Sequence, residues 1–363
     1  MPVDFKALDD KPRILIEAAL KPVAGTRIQP TGFPDLGPAT YDAPNDKGEA
    51  VPTLLVESAQ SMANRLEAVC WDEANDEIAS ELKGLPYIKV ALAGLGDGKD
   101  TTNSLLEFHR LNSPYIMSGV TKENTPFADV LKPELGMKAM AAAAKKGAKP
   151  KTAAADQPGD DAPASGDKER DDVAGVVNLR KLAAVCFKYD PNSLIHGVFL
   201  EKIAGRLRHP RALSAFIEAS GVGRADSGGV KFDRALPKPS VAGVDAKGGY
   251  GNVPFHRTEF TAKSITAYFT IDLAQIRGYG LGDNASKLLI VLALWKVRRF
   301  LDSNMRLRTA CELELANGDD SIVGKRPNGF KVPAASELTQ AVTDLVGKCK
   351  AQFAPVTELT WKP

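Results

Sequence analysis

Short apolar runs separated by turn-forming residues make up most of the chain. Residues 14–20 are apolar and lie between Pro12 and Pro22, which predicts a strand of a sheet. Residues 265–271 alternate β-branched and aromatic side chains with other residues, a pattern typical of a half-buried strand. We predict further strands over residues 87–92, 193–200 and 308–315 and in the second part of 206–219.

Helical spacing occurs in three places. Apolar residues at intervals of three and four between Leu55 and Val69 predict an amphipathic helix, with Thr53 as its N-cap. Residues 286–301 predict a second helix, and residues 334–353 predict a final amphipathic helix. This order of strands and helices favours an α+β fold with a split-βαβ core and large insertions.

The stretches between these elements contain few residues that could build a core. Residues 25–52 are rich in Pro, Gly and Asp, which predicts a long irregular loop. Residues 138–172 begin with Ala and Lys and end with Asp, Gly, Pro and Ser, so we predict a low-complexity, flexible insertion there. Residues 221–254 form another Gly- and Pro-rich stretch.

Charge is distributed unevenly, although the formal net charge of the 363-residue chain is only +2. Residues 173–263 carry 14 Lys and Arg against 7 Asp and Glu, whereas residues 1–172 have a net charge of −8. Such a basic segment is either a solvated surface or a surface that follows nucleic-acid phosphates. Charge alone favours neither interpretation.

The sequence has neither a membrane-spanning pattern nor a metal-binding motif. No cationic start is followed by a long apolar run, and the apolar residues 288–295 are too few to span a bilayer. We therefore expect a soluble, cytoplasmic protein with no membrane partner. The cysteines lack CxxC and Cys/His spacing, which indicates reduced, partly buried thiols; they are Cys70, Cys186, Cys311 and Cys349.

Motifs for catalysis and cofactor binding are weak. Residues 94–100 (GLGDGKD) lack the spacing of a phosphate-binding loop and indicate a surface turn. Adjacent carboxylates lie in low-complexity or turn sequence, which lacks the rigid frame of a catalytic site; these pairs are residues 160–161, 171–172 and 319–320. No cofactor motif is present, so we expect no cofactor and disfavour a small-molecule enzyme.

The four histidines are not spaced for a zinc site, which disfavours a zinc hydrolase. His196 lies within an apolar run, where a core histidine is the usual explanation. His209 and His256 lie beside basic, loop-like sequence and either contact phosphate or face water. A lone histidine can still act as a general base in metal-independent RNA cleavage.

A cluster of arginines favours nucleic-acid binding. Arg206 and Arg208 would lie on one face of an extended strand, and Arg211 follows closely. Guanidinium groups bind phosphate oxygens through two N–H groups and also stack on bases. In the Gly-rich residues 247–252, small side chains allow backbone N–H groups to approach a phosphate closely.

Several blocks of sequence, in order along the chain, resemble one known family. The blocks are residues 13–22 (RILIEAALKP), 25–34 (GTRIQPTGFP), 55–67 (LVESAQSMANRLE), 193–200 (SLIHGVFL) and 206–219 (RLRHPRALSAFIEA). Together they resemble the backbone subunit of the subtype I-G (formerly I-U) Cascade complex of CRISPR systems, in the RAMP superfamily. Ordered blocks are more specific than any single motif above.

This resemblance implies a fold and a role. The fold is an RRM-like palm with finger and thumb insertions, here a single domain over residues 1–363 with a flexible insertion at 138–172 and a loop or thumb-like insertion at 221–254. Copies of the subunit polymerise along a guide RNA (crRNA) and present it for pairing with target DNA. Because base pairing supplies the specificity, the protein contacts mainly the RNA backbone.

Partners and site residues follow from the same resemblance. Other Cascade subunits and a helicase–nuclease are implied as partners, and DNA cutting belongs to the latter, so we expect a non-catalytic protein without a cofactor. The candidate RNA contacts lie in the first loop, the first helix, the basic block and the Gly-rich segment. They are Arg27, Gln29, Thr31, Phe33, Ser58, Gln60, Ser61, Asn64, Arg65, Arg206, Arg208, Arg211 and Lys247.

Two alternatives stay open. Asn64 and Arg65 could instead bond to neighbouring loops or to an adjacent subunit. The chain could also be a catalytic ribonuclease of the same superfamily, which processes the guide or cleaves target RNA. Target-cleaving backbone subunits use an acidic residue in a loop near the guide, and Asp35 in the first loop would take that position.

Overall fold

The structure is a computed structural model that describes residues 3–33, 35–94, 100–137, 178–201, 203, 207–232, 234 and 251–363. The predicted insertion at 138–172 lies outside the described residues, as do Arg206 and Lys247. For Phe33 the backbone is described but the side chain is not.

Helices in the described residues include short 3-10 turns and one long, apolar helix. The 3-10 turns are Lys6–Leu8, Ser80–Leu82, Arg110–Asn112 and Lys350–Gln352. The α-helices are α1 (Ala59–Ala68), α2 (Pro114–Met117), α3 (Phe127–Glu134), α4 (Leu179–Tyr189), α5 (Asn192–His196), α6 (Leu273–Gly278), α7 (Asp283–Leu301) and α8 (Ala335–Cys349).

The strands are mostly short. They are β1 (Arg13–Pro22), β2 (Arg27–Ile28), β3 (Gly32–Phe33), β4 (Gly37–Pro38), β5 (Thr40–Pro44), β6 (Ala50–Glu57), β7 (Trp71–Asp72), β8 (Glu77–Ile78), β9 (Ile88–Leu92), β10 (Thr101–Asn103), β11 (Val198–Leu200), β12 (Leu207–His209), β13 (Leu213–Ser220), β14 (Gly223–Lys231), β15 (Val253–Thr261), β16 (Ser264–Asp272), β17 (Met305–Arg308), β18 (Cys311–Asp319), β19 (Ile322–Arg326) and β20 (Thr357–Trp361).

A curled, antiparallel sheet forms the centre of the molecule. Its strands are ordered β17–β18–β1–β16–β13–β6–β5, and β19 also pairs with β1. Ile14 lies opposite Ile271 and Ile16 opposite Phe269, so that alternate residues of β1 and β16 face the core. Both predicted strands are confirmed, and the sheet with its helices confirms the α+β class.

Helix α7 lies in the core against α1, α6, α8 and β16. Its residues are apolar around most of its circumference, which is typical of a helix buried on several sides. The buried Trp295 donates its indole N–H to Thr339 Oγ1 of α8 at 3.0 Å. The two predicted C-terminal helices are thereby confirmed. Neither α7 nor any other helix in the described residues has the length and hydropathy to cross a membrane.

A long hairpin extends from the central sheet. Strands β14 and β15 continue β13 and β16 beyond a bend, and β2 adds to the edge of β15. Gly221 at the bend has a φ of +63°, and a Cβ there would lie 2.9 Å from the Cβ of Lys263. Glycine is therefore required at this position. Residues 223–231 of the Gly- and Pro-rich stretch are thus a strand.

The first amphipathic helix begins later than predicted. Thr53 lies in β6, and α1 starts after Ser58, whose Oγ accepts the backbone N–H of Ser61 at 3.3 Å. The prediction was wrong because apolar residues keep a helical spacing across the junction between β6 and α1. The β-branched Val51, Thr53 and Val56 instead favour the extended conformation before the junction.

The apolar run 193–200 is divided between α5 and β11 and is not the single strand predicted. The buried Asp190 carboxylate organises the start of α5, because it accepts the Asn192 N–H at 3.1 Å and the Ser193 hydroxyl at 2.8 Å. Gly197 then ends the helix with a φ of +86°. Local capping therefore overrides the β propensity of the run.

The remaining predictions had mixed outcomes. The strand at 87–92 is confirmed as β9, and the cysteines are buried, free thiols as expected. The strand predicted from residue 308 starts at Cys311, after a turn in which Ala310 has a φ of +57°. Residues 25–52 contain β2 to β5 and are less irregular than predicted, because short antiparallel pairs need no long apolar run.

Candidate nucleic-acid interface

The three-stranded sheet of β14, β15 and β2 presents one strongly polar face. Ser227 lies opposite Arg257, and Glu259 follows two residues later on the same side of β15. Arg27 of β2 pairs with Thr261, which places its side chain on that side as well. We call this surface the ribbon face, and it comprises Arg27, Ser227, Lys231, Phe255, Arg257 and Glu259.

Glu259 lies at the centre of the ribbon face. Its side chain is only 6% exposed, and its carboxylate oxygens lie 2.9 Å from Arg27 Nη1 and 3.5 Å from Arg257 Nη1. The Ser227 hydroxyl donates to the same carboxylate at 3.1 Å. One acidic side chain therefore links the three strands of the sheet.

An aromatic ring lies beside these arginines. Phe255 is 41% exposed, and the guanidinium carbon of Arg257 lies 5.9 Å from its ring centroid. A Cβ added at Gly229, which pairs with Phe255, would lie 3.3 Å from the ring. The glycine leaves the ring uncovered, and an exposed ring beside cations can stack on a nucleic-acid base.

The opposite face of this sheet is closer to neutral. Asp226 Oδ1 lies 2.9 Å from Arg224 Nε and 3.6 Å from His256 Nε2. Hydrogen bonds, first that of Arg224, lower the pKa of Asp226, so its carboxylate is charged at neutral pH. In the described residues the ribbon face instead carries three cations and one carboxylate, which favours phosphate binding there.

The first loop is fixed to the central sheet by a second group of charges, the Glu57 network, which comprises Glu57, Arg65, Arg308 and the backbone of Gln29 and Val56. Arg308 pairs with the fully buried Glu57, and its Nη1 donates to the carbonyls of Gln29 and Val56 at 3.1 Å each. Arg65 Nε lies 3.3 Å from the Glu57 carboxylate, and its Nη2 donates to the Leu307 carbonyl at 2.5 Å. Burial lowers the pKa of both arginines.

The network brings together several of the predicted site residues. Gln29 and Thr31 are held through their backbones, since the Thr31 N–H donates to the Val56 carbonyl at 3.0 Å. Arg65 donates to the Leu307 carbonyl of β17, so its partner lies in a strand of the central sheet and not in a loop. Gln60 and Asn64 are exposed one turn apart on α1.

The basic block is separated into one exposed and one packed arginine. Arg208 is exposed on β12 opposite Phe199, whereas Arg211 is partly buried and donates to the Ala59 carbonyl at 3.2 Å. His209 packs edge-on against Tyr279 with ring centroids 5.1 Å apart, and burial lowers its pKa. Arg208 is therefore the described member of this block that is free to meet a phosphate.

A buried polar cluster lies away from these surfaces. Glu67 and Arg110 form an ion pair, and the Lys296 ammonium donates to the Leu66 carbonyl at 3.3 Å. His196 is buried, as predicted, but neither ring nitrogen has a hydrogen-bond partner in the described residues. The described residues contain no group of His, Cys, Asp or Glu that could hold a metal ion.

Among the carboxylates singled out from the sequence, residues 160–161 and 171–172 lie outside the described residues, whereas Asp319 and Asp35 are described. Asp319 lies 2.9 Å from Arg298 Nη2 of α7, so it belongs to an ion pair. Asp35 is exposed on the turn between β3 and β4.

Sequence reasoning missed the residues that make the ribbon face distinctive. Phe255, Arg257 and Glu259 alternate along one strand, which is the signal that could have indicated a shared face. Arg308 carried no comparable signal, because its role depends on contacts with residues about 250 positions earlier.

Residues 14–224 match the model of the family described as CRISPR-associated protein GSU0053. The match covers more than half of the chain. The molecule is thus a CRISPR-associated protein, and it belongs to the GSU0053 family.

Solved structures give weaker similarities. A chain of a "CRISPR RNA-guided surveillance complex, pre-nicking" is 15% identical with a TM-score of 0.37, over 83% of this chain and 73% of that one. Csc2 from Thermofilum pendens is 10% identical with a TM-score of 0.30, over 97% of this chain and 80% of that one. No curated protein matches.

Proposed function

We propose that the chain is a non-catalytic backbone subunit of a type I CRISPR surveillance complex, in which several copies coat a guide RNA. Membership in a CRISPR-associated family supports the biological setting. The resemblance of the sequence blocks supports the finer assignment to the subtype I-G Cascade complex and to the RAMP superfamily. In this role the protein holds the guide, and pairing between guide and target DNA provides the specificity.

The strand order supports an RRM-like palm within this proposal. A split-βαβ unit runs strand, helix, strand, strand, helix, strand, and its fourth and third strands flank the first. Here β1, α1, β13, β16, α7 and β18 follow one another in that sequence, and β1 lies between β18 and β16. The hairpin of β14 and β15 is then an insertion between the second and third strands of this unit, β13 and β16.

The ribbon face is the observation that carries the proposal. Arg27 and Arg257 come from distant parts of the sequence and reach the same carboxylate, beside the exposed ring of Phe255. Cations that follow the sugar–phosphate backbone, with a flat ring for a base, are what single-stranded RNA binding requires. Such contacts do not read base edges, which suits a protein that must accept any guide sequence.

The partners follow from this role. The guide RNA and further copies of the chain are direct partners, target DNA is contacted through the guide, and other Cascade subunits and a helicase–nuclease complete the complex. We propose no cofactor. DNA cleavage is assigned to the helicase–nuclease.

Co-expression with a guide RNA tests this assignment. We expect a particle whose mass corresponds to several protein copies on one RNA, and whose copy number rises when the guide is lengthened. The matched control is the double variant Arg27→Ala with Arg257→Ala, which should yield fewer bound copies at the same salt concentration. A chain that purifies without RNA, whatever guide is supplied, would contradict the proposal.

The catalytic alternative has its own assay. Assembled complex is incubated with a labelled RNA complementary to the guide and with divalent metal. We expect the RNA to stay intact. Regularly spaced cuts that disappear in Asp35→Ala would replace a non-catalytic role with that of a target-cleaving ribonuclease.

A further inference from the structure

Glu259 is unexpected on a surface that binds phosphate. It is the one carboxylate on the ribbon face in the described residues, and it would repel the same phosphates that Arg27, Arg257 and Lys231 attract. Acidic side chains at the edge of such a surface can turn towards water. Glu259 cannot, because its side chain is 6% exposed and lies among three donors.

The contacts of Glu259 fix side chains that would otherwise be mobile. Arginine side chains have many rotamers, and each loses conformational entropy when it binds a ligand in one geometry. Glu259 lies within ion-pair distance of Arg27 on β2 and of Arg257 on its own strand. Both guanidinium groups are therefore held before any ligand arrives.

The bound arginines keep the capacity to bind a phosphate. A guanidinium has five N–H donors, and the ion pairs with Glu259 are made through Nη1 of Arg27 and Nη1 of Arg257. The Arg27 side chain is 56% exposed and that of Arg257 is 31% exposed. Each thus has donors left on the solvent side of the ribbon face.

We propose that Glu259 is a positioning residue for the RNA backbone: it holds Arg27 and Arg257 together so that their remaining N–H groups form one preorganised site for a phosphodiester group. This inference rests on the proposed function. Glu259 itself does not touch the RNA, since it acts through the two guanidinium groups. The repulsion between the Glu259 carboxylate and phosphate is offset because the two guanidinium groups are held in place.

The direction in which Glu259→Gln changes RNA affinity distinguishes a positioning role from a purely electrostatic one. Glu259→Gln removes a negative charge, so net electrostatics alone predicts tighter RNA binding. Loss of positioning predicts weaker binding, by about fivefold or more when two long side chains become mobile. It also predicts a shallower dependence of affinity on salt, because fewer phosphate contacts form. Affinity is measured by filter binding with the full chain and a guide RNA over a salt series.

Asp226→Asn is the matched control, because it makes the same charge change on the opposite face of the same sheet, where Asp226 pairs with Arg224. We expect its RNA affinity to be unchanged or slightly higher. In a background that already carries Arg27→Ala and Arg257→Ala, Glu259→Gln should cause no further loss of affinity. A loss in that background would show that Glu259 does not act through the arginines.

Folding is followed by thermal denaturation of each variant. If Glu259→Gln lowers the Tm, Glu259→Asp is used in its place. Aspartate keeps the negative charge but has a shorter side chain. Positioning therefore predicts weaker RNA binding, whereas charge alone predicts no change in RNA affinity. Wild-type RNA affinity with an unchanged salt slope in Glu259→Gln would overturn the inference. If Glu259→Gln is destabilised, the same result in Glu259→Asp would overturn it. Failure of the wild-type chain to bind any guide RNA would instead overturn the proposed function.

Discussion

Glu67 and Arg110 form a two-point ion pair inside the protein, with Arg110 Nε 2.5 Å from Oε1 and Nη2 2.8 Å from Oε2 of Glu67. Both residues are buried, and Arg110 also donates to the Gly197 carbonyl at 3.1 Å. The pair joins the end of α1 to the turn that precedes α2 and to the end of α5. It therefore fixes three segments that have no strand pairing with one another.

Removing one partner of this pair should be costly. Arg110→Ala leaves the Glu67 carboxylate buried without its main partner, and we expect the free energy of unfolding to fall by about 3–5 kcal/mol. Chemical denaturation measures the change. The exposed pair of Lys21 and Glu314, 3.3 Å apart, is the control, and Lys21→Ala should cost less than about 1 kcal/mol. Similar losses at both sites would contradict this account.

His196 should make stability sensitive to mild acid. Burial lowers its pKa well below the usual value of 6.5, and the nearby Lys296, Arg110 and Arg211 lower it further. As the pH falls below 6.5, the unfolded chain takes up a proton that the folded protein does not. Stability is therefore lost as the pH falls, by up to about 1.4 kcal/mol per pH unit from this residue.

Denaturation at several pH values tests this dependence. The stability of His196→Leu should vary less steeply between pH 7 and pH 5 than that of the wild type. His256→Gln, which removes an exposed histidine, is the matched control for the loss of one histidine side chain. Parallel slopes for the wild type and His196→Leu would show that another group controls the pH dependence.

Alanine substitutions of the neighbouring residues Arg65 and Asn64 on α1 should have different effects on stability and on RNA binding. Arg65→Ala breaks contacts with Glu57 and the Leu307 carbonyl, so we expect a loss of about 2–3 kcal/mol in the free energy of unfolding. Asn64→Ala lies on the exposed side and should change stability by less than about 0.5 kcal/mol. We expect Asn64→Ala to weaken guide-RNA binding. Unchanged affinity in Asn64→Ala would remove it from the candidate contacts.

The parts of the fold that could be predicted are those determined by local patterns. β16 alternates apolar and other residues, and β1 is a short apolar run between two prolines; in the folded sheet both strands bury alternate residues because one face packs on helices. The start of α1 was misplaced because periodicity alone does not distinguish the last residues of a strand from the first turn of a helix. Ser58 was a better signal, since serine is a preferred N-cap.

The candidate site was less predictable because it is built from long-range contacts. The ribbon face exists because β2 pairs with β15, which joins Arg27 to Glu259 across more than 230 residues. Strand register over such a distance is not readable from one sequence. Arg65 illustrates the same limit: the family resemblance placed it among the RNA contacts, whereas its partner Glu57 is buried in the adjoining strand.

Arg208 and Arg211, three residues apart, should separate RNA binding from stability. Arg208→Ala removes an exposed cation, so RNA affinity should fall for every guide sequence, and the salt slope should decrease by about 0.7 for each phosphate that the protein no longer neutralises. Its Tm should stay at the wild-type value. Arg211→Ala instead leaves the Ala59 carbonyl without its donor, which should lower the Tm. The double variant Arg206→Ala with Arg208→Ala should reduce affinity and salt slope further. Wild-type affinity and slope in Arg208→Ala would exclude this strand from the RNA path.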